Sequence, residues 1–170
     1  MAVRNWPSQV TWAQFIVVDK APGGATTSAH IVGEYRNPPG KVFRIRKVGK
    51  YFRLTDVNLV LKVIPTETWV VKRKKGKLLL KHEQGHWDIL GLVAREYHKE
   101  IEKLRASSVK QLRARFLRLE ARMAAKRDKL NSGTGGYDTE TDHGRKRAQQ
   151  KKWDALLASC INTGKNLPDN

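Results

Sequence analysis

Leu78-Leu79-Leu80-Lys81-His82-Glu83-Gln84-Gly85-His86-Trp87-Asp88-Ile89-Leu90 is the stretch from which the rest of the chain can be read. Ile89, Leu90, Val93, Tyr97, Ile101 and Leu104 continue it at helical spacing, which predicts a largely buried amphipathic helix over 77–104. Inside it, residues 82–86 have the form HExxH. Residues four apart share a helix face, one turn up the axis. His82 and His86 can therefore aim both imidazoles at one ion, and Glu83 can reach a water on that ion without binding the ion itself. Unpaired polar groups are costly on a buried helix, so two histidines and a carboxylate there call for a partner, which a metal supplies. The spacing is that of a zinc hydrolase, with two nitrogen ligands and a general base from one helical turn.

Upstream of the helix the chain reads as strands and turns. Val10 to Val18 is rich in β-formers and is broken by Ala21-Pro22-Gly23-Gly24. His30 to Tyr35, Val42 to Val48, Tyr51 to Leu54, Val57 to Ile64 and Thr68 to Val71 follow, with Asn37-Pro38-Pro39-Gly40 and Pro65 as stops. Downstream, Ser107-Ser108 is a break whose serine caps a second helix, about 108–130. That helix has an apolar stripe of Val109, Leu112, Phe116, Leu119 and Met123, flanked by Arg115, Arg118, Arg122 and Lys126. A glycine-rich turn at 131–136 leads to a last helix, from Thr141 or Asp142 to about Ile161, and residues 162–170 are expected to fray. The fold class expected is α+β: a small, mainly antiparallel sheet in the N-terminal half, then a zincin-type HExxH helix and two further helices. Residues 1–161 form one metallopeptidase-like domain, 1–71 mainly strands and 77–161 mainly helices.

At 170 residues the chain suits one domain with a sizeable core. No apolar run is long enough to span a bilayer. Met1 to Pro7 lacks the apolar stretch of a signal peptide, so the expected compartment is the cytoplasm by default, or the periplasm or exterior if the sequence is a mature or trimmed form. Cys160 is the single cysteine, which excludes an internal disulfide and a cysteine-rich zinc site. Net charge is +18, a bias toward polyanionic partners. Nothing in the sequence fixes the oligomeric state.

A catalytic zinc usually has three protein ligands and one open position. Ile89 and Leu92 stand where the metzincin extension needs Gly and His. His98 is twelve residues past His86, roughly 18 Å along an unbroken helix, and cannot share the ion. Glu120 is a formal candidate but lies in the strongly basic stretch from Arg113 to Arg122. The better region is Gly135 to Gly144. There His143 would complete a three-histidine site, whereas Asp138 or Asp142 would give two histidines and a carboxylate.

Leu79 to Ile89 resembles a bacterial family of predicted zinc-dependent proteases, often exported, catalogued as a domain of unknown function. Its members show LLxHEQGHFDI, with Trp87 replacing Phe here, and a later YDxxTxHG segment followed by Gln and Trp. The corresponding residues are Tyr137-Asp138, Thr141, His143-Gly144, Gln149 or Gln150, and Trp153. Thr11-Trp12-Ala13-Gln14-Phe15 and Ala25-Thr26-Thr27 are similar to a TWxxF stretch and a threonine-rich turn of the same family. The resemblance covers nearly the whole chain, except that the basic second helix departs from it. It implies a site of His82, His86 and His143 with Glu83 catalytic.

These readings converge on a zinc metalloprotease with one Zn2+ per chain, acting on a protein or peptide substrate. Tyr137 is the candidate oxyanion donor, on a loop expected to swing in. Asp88 and Asp138 are candidates to orient ligand histidines from behind. Trp87 and Trp153 read as core. The competing class is a non-catalytic basic zinc-containing module, in which Arg115, Arg118, Arg122 and Lys126 contact nucleic acid or another polyanion.

Overall fold

In the computed structural model, which describes residues 3–37 and 43–168, the motif lies on helix α1 (Lys77–Lys103). Six consecutive residues of α1, Ile89 to Ala94, are buried, so the middle of the helix is enclosed on every side. Three layers enclose it. One is helix α2 (Val109–Ser132), through Leu112, Leu119, Met123 and Leu130. A second is helix α4 (Arg147–Thr163), through Trp153, Leu157 and Cys160. The third is the strand region, through Leu59, Leu61 and Val70. Each large apolar side chain so buried contributes about 1.5–3 kcal/mol. This is what holds α1 rigid beneath its two histidines.

The class is α+β, with the strands first and the helices after them. The strands are β1 (Val3–Arg4), β2 (Ile16–Val18), β3 (Ala29–His30), β4 (Gly33–Arg36), β5 (Arg44–Val48), β6 (Tyr51–Thr55), β7 (Leu59–Val63) and β8 (Trp69–Val71). They form three small sheets rather than one: β1-β7-β4, β2-β8-β3 and the hairpin β5-β6. The β3–β8, β4–β7 and β5–β6 pairings are antiparallel, and the β1–β7 and β2–β8 pairings are parallel. Parallel neighbours need a long connection, so they could not be read from hairpin signals. The bridge between β3 and β4 passes over α1 and lays the backbone of Ile31 on Glu83.

Several local expectations change. Only Ile16–Val18 of the Val10–Val18 run is strand. Trp12–Gln14 forms a 3-10 turn, because the Gln14 side chain takes the Thr11 backbone N–H at 2.7 Å in a capping box. Val42 and the turn residues 38–40 fall outside the described residues. Ser108 caps α2 as expected, accepting from the Gln111 N–H at 3.2 Å. The last helix starts at Arg147, not at Thr141 or Asp142, and a short helix α3 (Tyr137–Thr141) precedes it. The reason is Asp142, His143 and Gly144, three successive residues with positive φ that turn the chain between the two helices. The segment after α4 is not frayed over its described part. Leu167 is buried, and Arg95, Lys99 and Lys126 bind the carbonyls of Lys165, Gly164 and Leu167. Among the described residues, no helix is long and apolar enough to cross a membrane.

Candidate metal centre

His82 and His86 face the same way from successive turns of α1, with their Nε2 atoms 3.2 Å apart. Asp138, in the first turn of α3, places Oδ1 3.0 Å from His82 Nε2 and 3.1 Å from His86 Nε2. The three atoms thus form a nearly equilateral triangle. Ligands about 2.0–2.1 Å from a tetrahedral zinc lie roughly 3.3 Å from one another, so the triangle has the size a metal ion requires.

The protonation of the two rings follows from what lies behind them. His82 Nδ1 meets Gln150 Oε1 at 3.1 Å, and His86 Nδ1 meets Asn131 Oδ1 at 2.7 Å. Both amides are oriented by their other ends. Gln150 Nε2 donates to Asp154 Oδ1 at 2.8 Å, and Asn131 Nδ2 donates to the Arg127 carbonyl at 3.0 Å. A carboxylate and a carbonyl only accept, so each amide turns its oxygen to a histidine, and both Nδ1 atoms carry the proton. In the neutral rings the Nε2 atoms then bear lone pairs. In that form two lone pairs and the Asp138 carboxylate oxygen converge, an arrangement that a cation satisfies. Burial opposes a second proton on His86, but the Asp138 carboxylate beside it lifts the imidazole above its ordinary value. His82, His86 and Asp138 form a group able to hold a metal ion. Burial opposes the charge of Asp138, but N–H groups and positive charge on the His82 and His86 rings hold its carboxyl well below the usual carboxylate range, a role that a bound cation would take over from those protons.

Glu83 sits beside this group, 2 % exposed. Its Oε2 accepts the Ile31 backbone N–H at 3.0 Å, while Oε1 takes no hydrogen bond within the described residues. Burial pushes its carboxyl above the ordinary value, against the pull of the His86 and His82 imidazoles. The carboxylate therefore holds a proton more readily than an exposed glutamate does.

Tyr137 does not stand at the mouth of the site as expected of an oxyanion donor. It is fully buried behind it, stacked on His82 with ring centroids 4.6 Å apart and planes 9° from parallel. Its hydroxyl donates to the His82 carbonyl at 3.1 Å and accepts from Gln150 Nε2. The ring lies on α1 because Gly85 has no side chain. Tyr137 is thus the plate against which His82 is held. Asp88 is also misplaced by the sequence reading. Its Oδ1 accepts from Trp6 Nε1 and Gln84 Nε2, and it touches neither histidine. The residues behind the rings are instead Gln150 and Asn131. Gln150 is one of the two positions that the family resemblance implies, whereas Asn131 belongs to a stretch that reads in sequence only as a turn.

His143 enters the site from the tight turn after α3. Its Nδ1 lies 3.1 Å from Asp138 Oδ1, the oxygen that both other histidines meet. It is more open than they are, with 37 % of its side chain exposed. The converging group is thus the two-histidine, one-carboxylate alternative, with His143 one step further out against the same carboxylate. Asp142 instead closes α3 and pairs with Arg145 at 3.5 Å, and Glu120 accepts from the Tyr97 hydroxyl at 3.2 Å, away from the centre. The positive φ of Gly144 brings its backbone against His82, where an added Cβ would stand 3.1 Å from His82 Cβ.

The centre lies in a cleft of about 310 Å³, lined by Thr27 to His30, Lys74, Leu78, Leu79, His143 to Arg145 and Arg147 as well as the centre itself. The basic stripe of α2 is elsewhere. Lys126 is turned inward onto Glu96 at 2.9 Å, with both side chains nearly buried, and Arg122 pairs with Glu100 at 3.1 Å. Arg115 donates to the Arg105 carbonyl, and Arg118 is exposed. Two of the four expected polyanion contacts are therefore engaged by acids of α1. Comparison of the chain with protein-family models, with curated proteins and with solved structures gave no match.

Proposed function

We propose that the chain is a zinc-dependent peptidase of the HExxH type, with His82, His86 and Asp138 as metal ligands and Glu83 as general base. The observation that carries the proposal is the convergence of three ligand atoms beside a buried glutamate in one cleft. Zinc bound there would supply a Lewis acid for the scissile carbonyl and lower the pKa of an attacking water. Two histidines and a carboxylate also suit other divalent metals, but a glutamate next to the first ligand serves proton transfer and hence hydrolysis.

Glu83 fits the base role. Its raised proton affinity suits a group that must take a proton and give it up again. The Ile31 N–H fixes one oxygen, which leaves Oε1 for the proton. His143, held on Asp138 through Nδ1 and partly exposed, replaces Tyr137 as the candidate donor to a developing oxyanion, a role that requires a proton on Nε2 as well. The strand β3 forms the edge of its sheet and lines the cleft, where an extended peptide can add as a further strand. The resemblance of residues 79–89 and 137–144 to predicted zinc proteases supports the same reading.

The test is metal content and cleavage measured together. Protein purified without chelator should carry one zinc per chain and cleave an unfolded protein substrate. Chelation should abolish cleavage, and added zinc should restore it. Substoichiometric metal that zinc cannot raise would reject the centre. Full zinc with no cleavage of any unfolded protein would reject the peptidase and keep the centre.

A further inference from the structure

The centre lies where two clefts meet. The first is the 310 Å³ cleft described above. The second, about 380 Å³, shares His30, His86 and Asp138 with it and continues past Ile31, Val32 and Gly33 to Arg127, Asp128 and Asn131. The two halves differ in charge. Outside the centre, the first carries Lys74, Arg145 and Arg147 and no acid. The second carries Arg127 and Asp128, which neutralise each other at 2.7 Å.

The cations of the first half come from three separate elements. Lys74 ends the 3-10 turn before α1, Arg145 lies in the turn after α3, and Arg147 is the first residue of α4. Lys74 and Arg147 have no ion pair among the described residues, and Arg145 has only an exposed one, with Asp142 at 3.5 Å. The N-termini of α1 and α4 both open here, since Leu78, Leu79 and Arg147 line the cleft. Neither helix has an acidic residue in its first turn. Helix N-termini favour anions and disfavour cations. Basic side chains and two positive helix ends therefore meet in one place, and outside the centre only the exposed Asp142, at 3.5 Å from Arg145, offsets them among the described residues. A solvated basic face elsewhere on a chain of net charge +18 needs no ligand, but here the imbalance is confined to one side of the centre.

We propose that this half of the groove binds acidic side chains of the substrate, so that acidic residues are selected on one side of the bond presented to Glu83 and not on the other. The proposal rests on the peptidase reading for the identity of the ligand as a peptide, and its test separates the two.

The probes are four fluorescein-labelled octapeptides with the same neutral central pair. One has three Glu before that pair, one has three Glu after it, one has both, and one has Gln throughout. Binding to the zinc-loaded Glu83→Gln protein is read by fluorescence anisotropy. One single-sided acidic peptide should bind about tenfold more tightly than the Gln peptide, while its mirror should stay close to the Gln peptide. The preference should weaken as salt rises. In Lys74→Gln/Arg145→Gln/Arg147→Gln protein the acidic-to-neutral ratio should fall to near one, with zinc content and circular dichroism as checks on folding. Equal affinity for all four peptides, absence of binding by any, equal preference for both acidic halves, or a ratio that survives the triple substitution would each overturn the proposal. Cleavage of the Gln peptide by the unmutated protein reports on the peptidase reading separately. One-sided binding by zinc-loaded protein that cleaves neither these peptides nor any unfolded protein would sink that reading and leave the cleft as an acidic-peptide site. Cleavage without one-sided preference would sink this proposal alone.

Discussion

The phenol oxygen of Tyr137 lies 2.1 Å from where a Cβ on Gly85 would stand. No side chain fits between them, so the glycine inside HEQGH is there for close approach and not for flexibility. The contact links the motif helix to α3, and therefore His82 and His86 to Asp138. Gly85→Ala should force Tyr137 off its stack with His82. Overpacking of this kind costs about 1–3 kcal/mol, so the melting temperature should fall by several degrees and zinc affinity should fall with it. A variant with the unmutated Tm and zinc content would contradict the packing described here.

Glu83→Gln should bind zinc as the unmutated protein does and lose cleavage by at least about 10²-fold. The amide oxygen can still accept the Ile31 N–H, and the buried charge is gone, so stability should not decrease. Zinc titration, thermal melting and peptidase assay on one preparation check all three. Loss of metal together with activity would make Glu83 a ligand and not a base.

Asp138 and His143 can be separated by metal affinity. Asp138 stands in the ligand triangle and His143 behind its oxygen. Asp138→Ala should therefore weaken zinc binding far more than His143→Ala, whereas His143→Ala should reduce cleavage more than it reduces affinity. Competition with a chromogenic chelator measures the first, and kcat at saturating zinc the second. The opposite order of affinities would restore the three-histidine set implied by the family resemblance.

The amides behind the rings offer a further check. Gln150→Leu and Asn131→Leu each remove the acceptor that fixes one ring as its Nδ1–H tautomer. Each should lower zinc affinity by about 10–100-fold while leaving all three ligands in place. Chelator competition again reads the effect. An affinity within twofold of the unmutated protein would mean that the rings are oriented by packing alone.

Much of this site could be read from the sequence because it lies on one helix. The spacing of His82, Glu83 and His86 fixes their geometry once α1 forms, and the apolar periodicity from Ile89 to Ile101 shows that it does. Asp138 and His143 fall in the segment 135–144 that the sequence singles out, and Gln150 is one of two positions that the resemblance implies, but their roles depend on three positive-φ residues at 142–144. A glycine there is legible, and an Asp and a His in that conformation are not. Asn131 and the Ile31 N–H are not legible, since Asn131 lies in the last turn of α2 where the sequence reads as a glycine-rich turn, and a backbone amide carries no pattern. The β5–β6 hairpin is legible from Gly49-Lys50 between two strand runs, but the partners of β1 and β2 are not, because they pair in parallel with strands far along the chain. The inward turn of Lys126 is not legible because the partner it meets, Glu96, belongs to a different helix.

That buried pair supplies the last prediction. Lys126 and Glu96 meet at 2.9 Å with side chains only 10 % and 13 % exposed, and Lys126 also donates to the Leu167 carbonyl. Removing Lys126 leaves the Glu96 charge buried, which typically costs about 3–5 kcal/mol. Lys126→Ala should therefore destabilise the protein strongly. Lys126→Met with Glu96→Leu removes both charges and fills similar space, and should cost far less than Lys126→Ala alone. Thermal or urea unfolding of the three proteins gives the comparison. Because the pair lies away from the cleft, zinc content of the folded fraction should be the same in all three. If Lys126→Ala unfolds like the unmutated protein, Lys126 is solvated and not locked inward. The α2 stripe would then regain it as a polyanion contact.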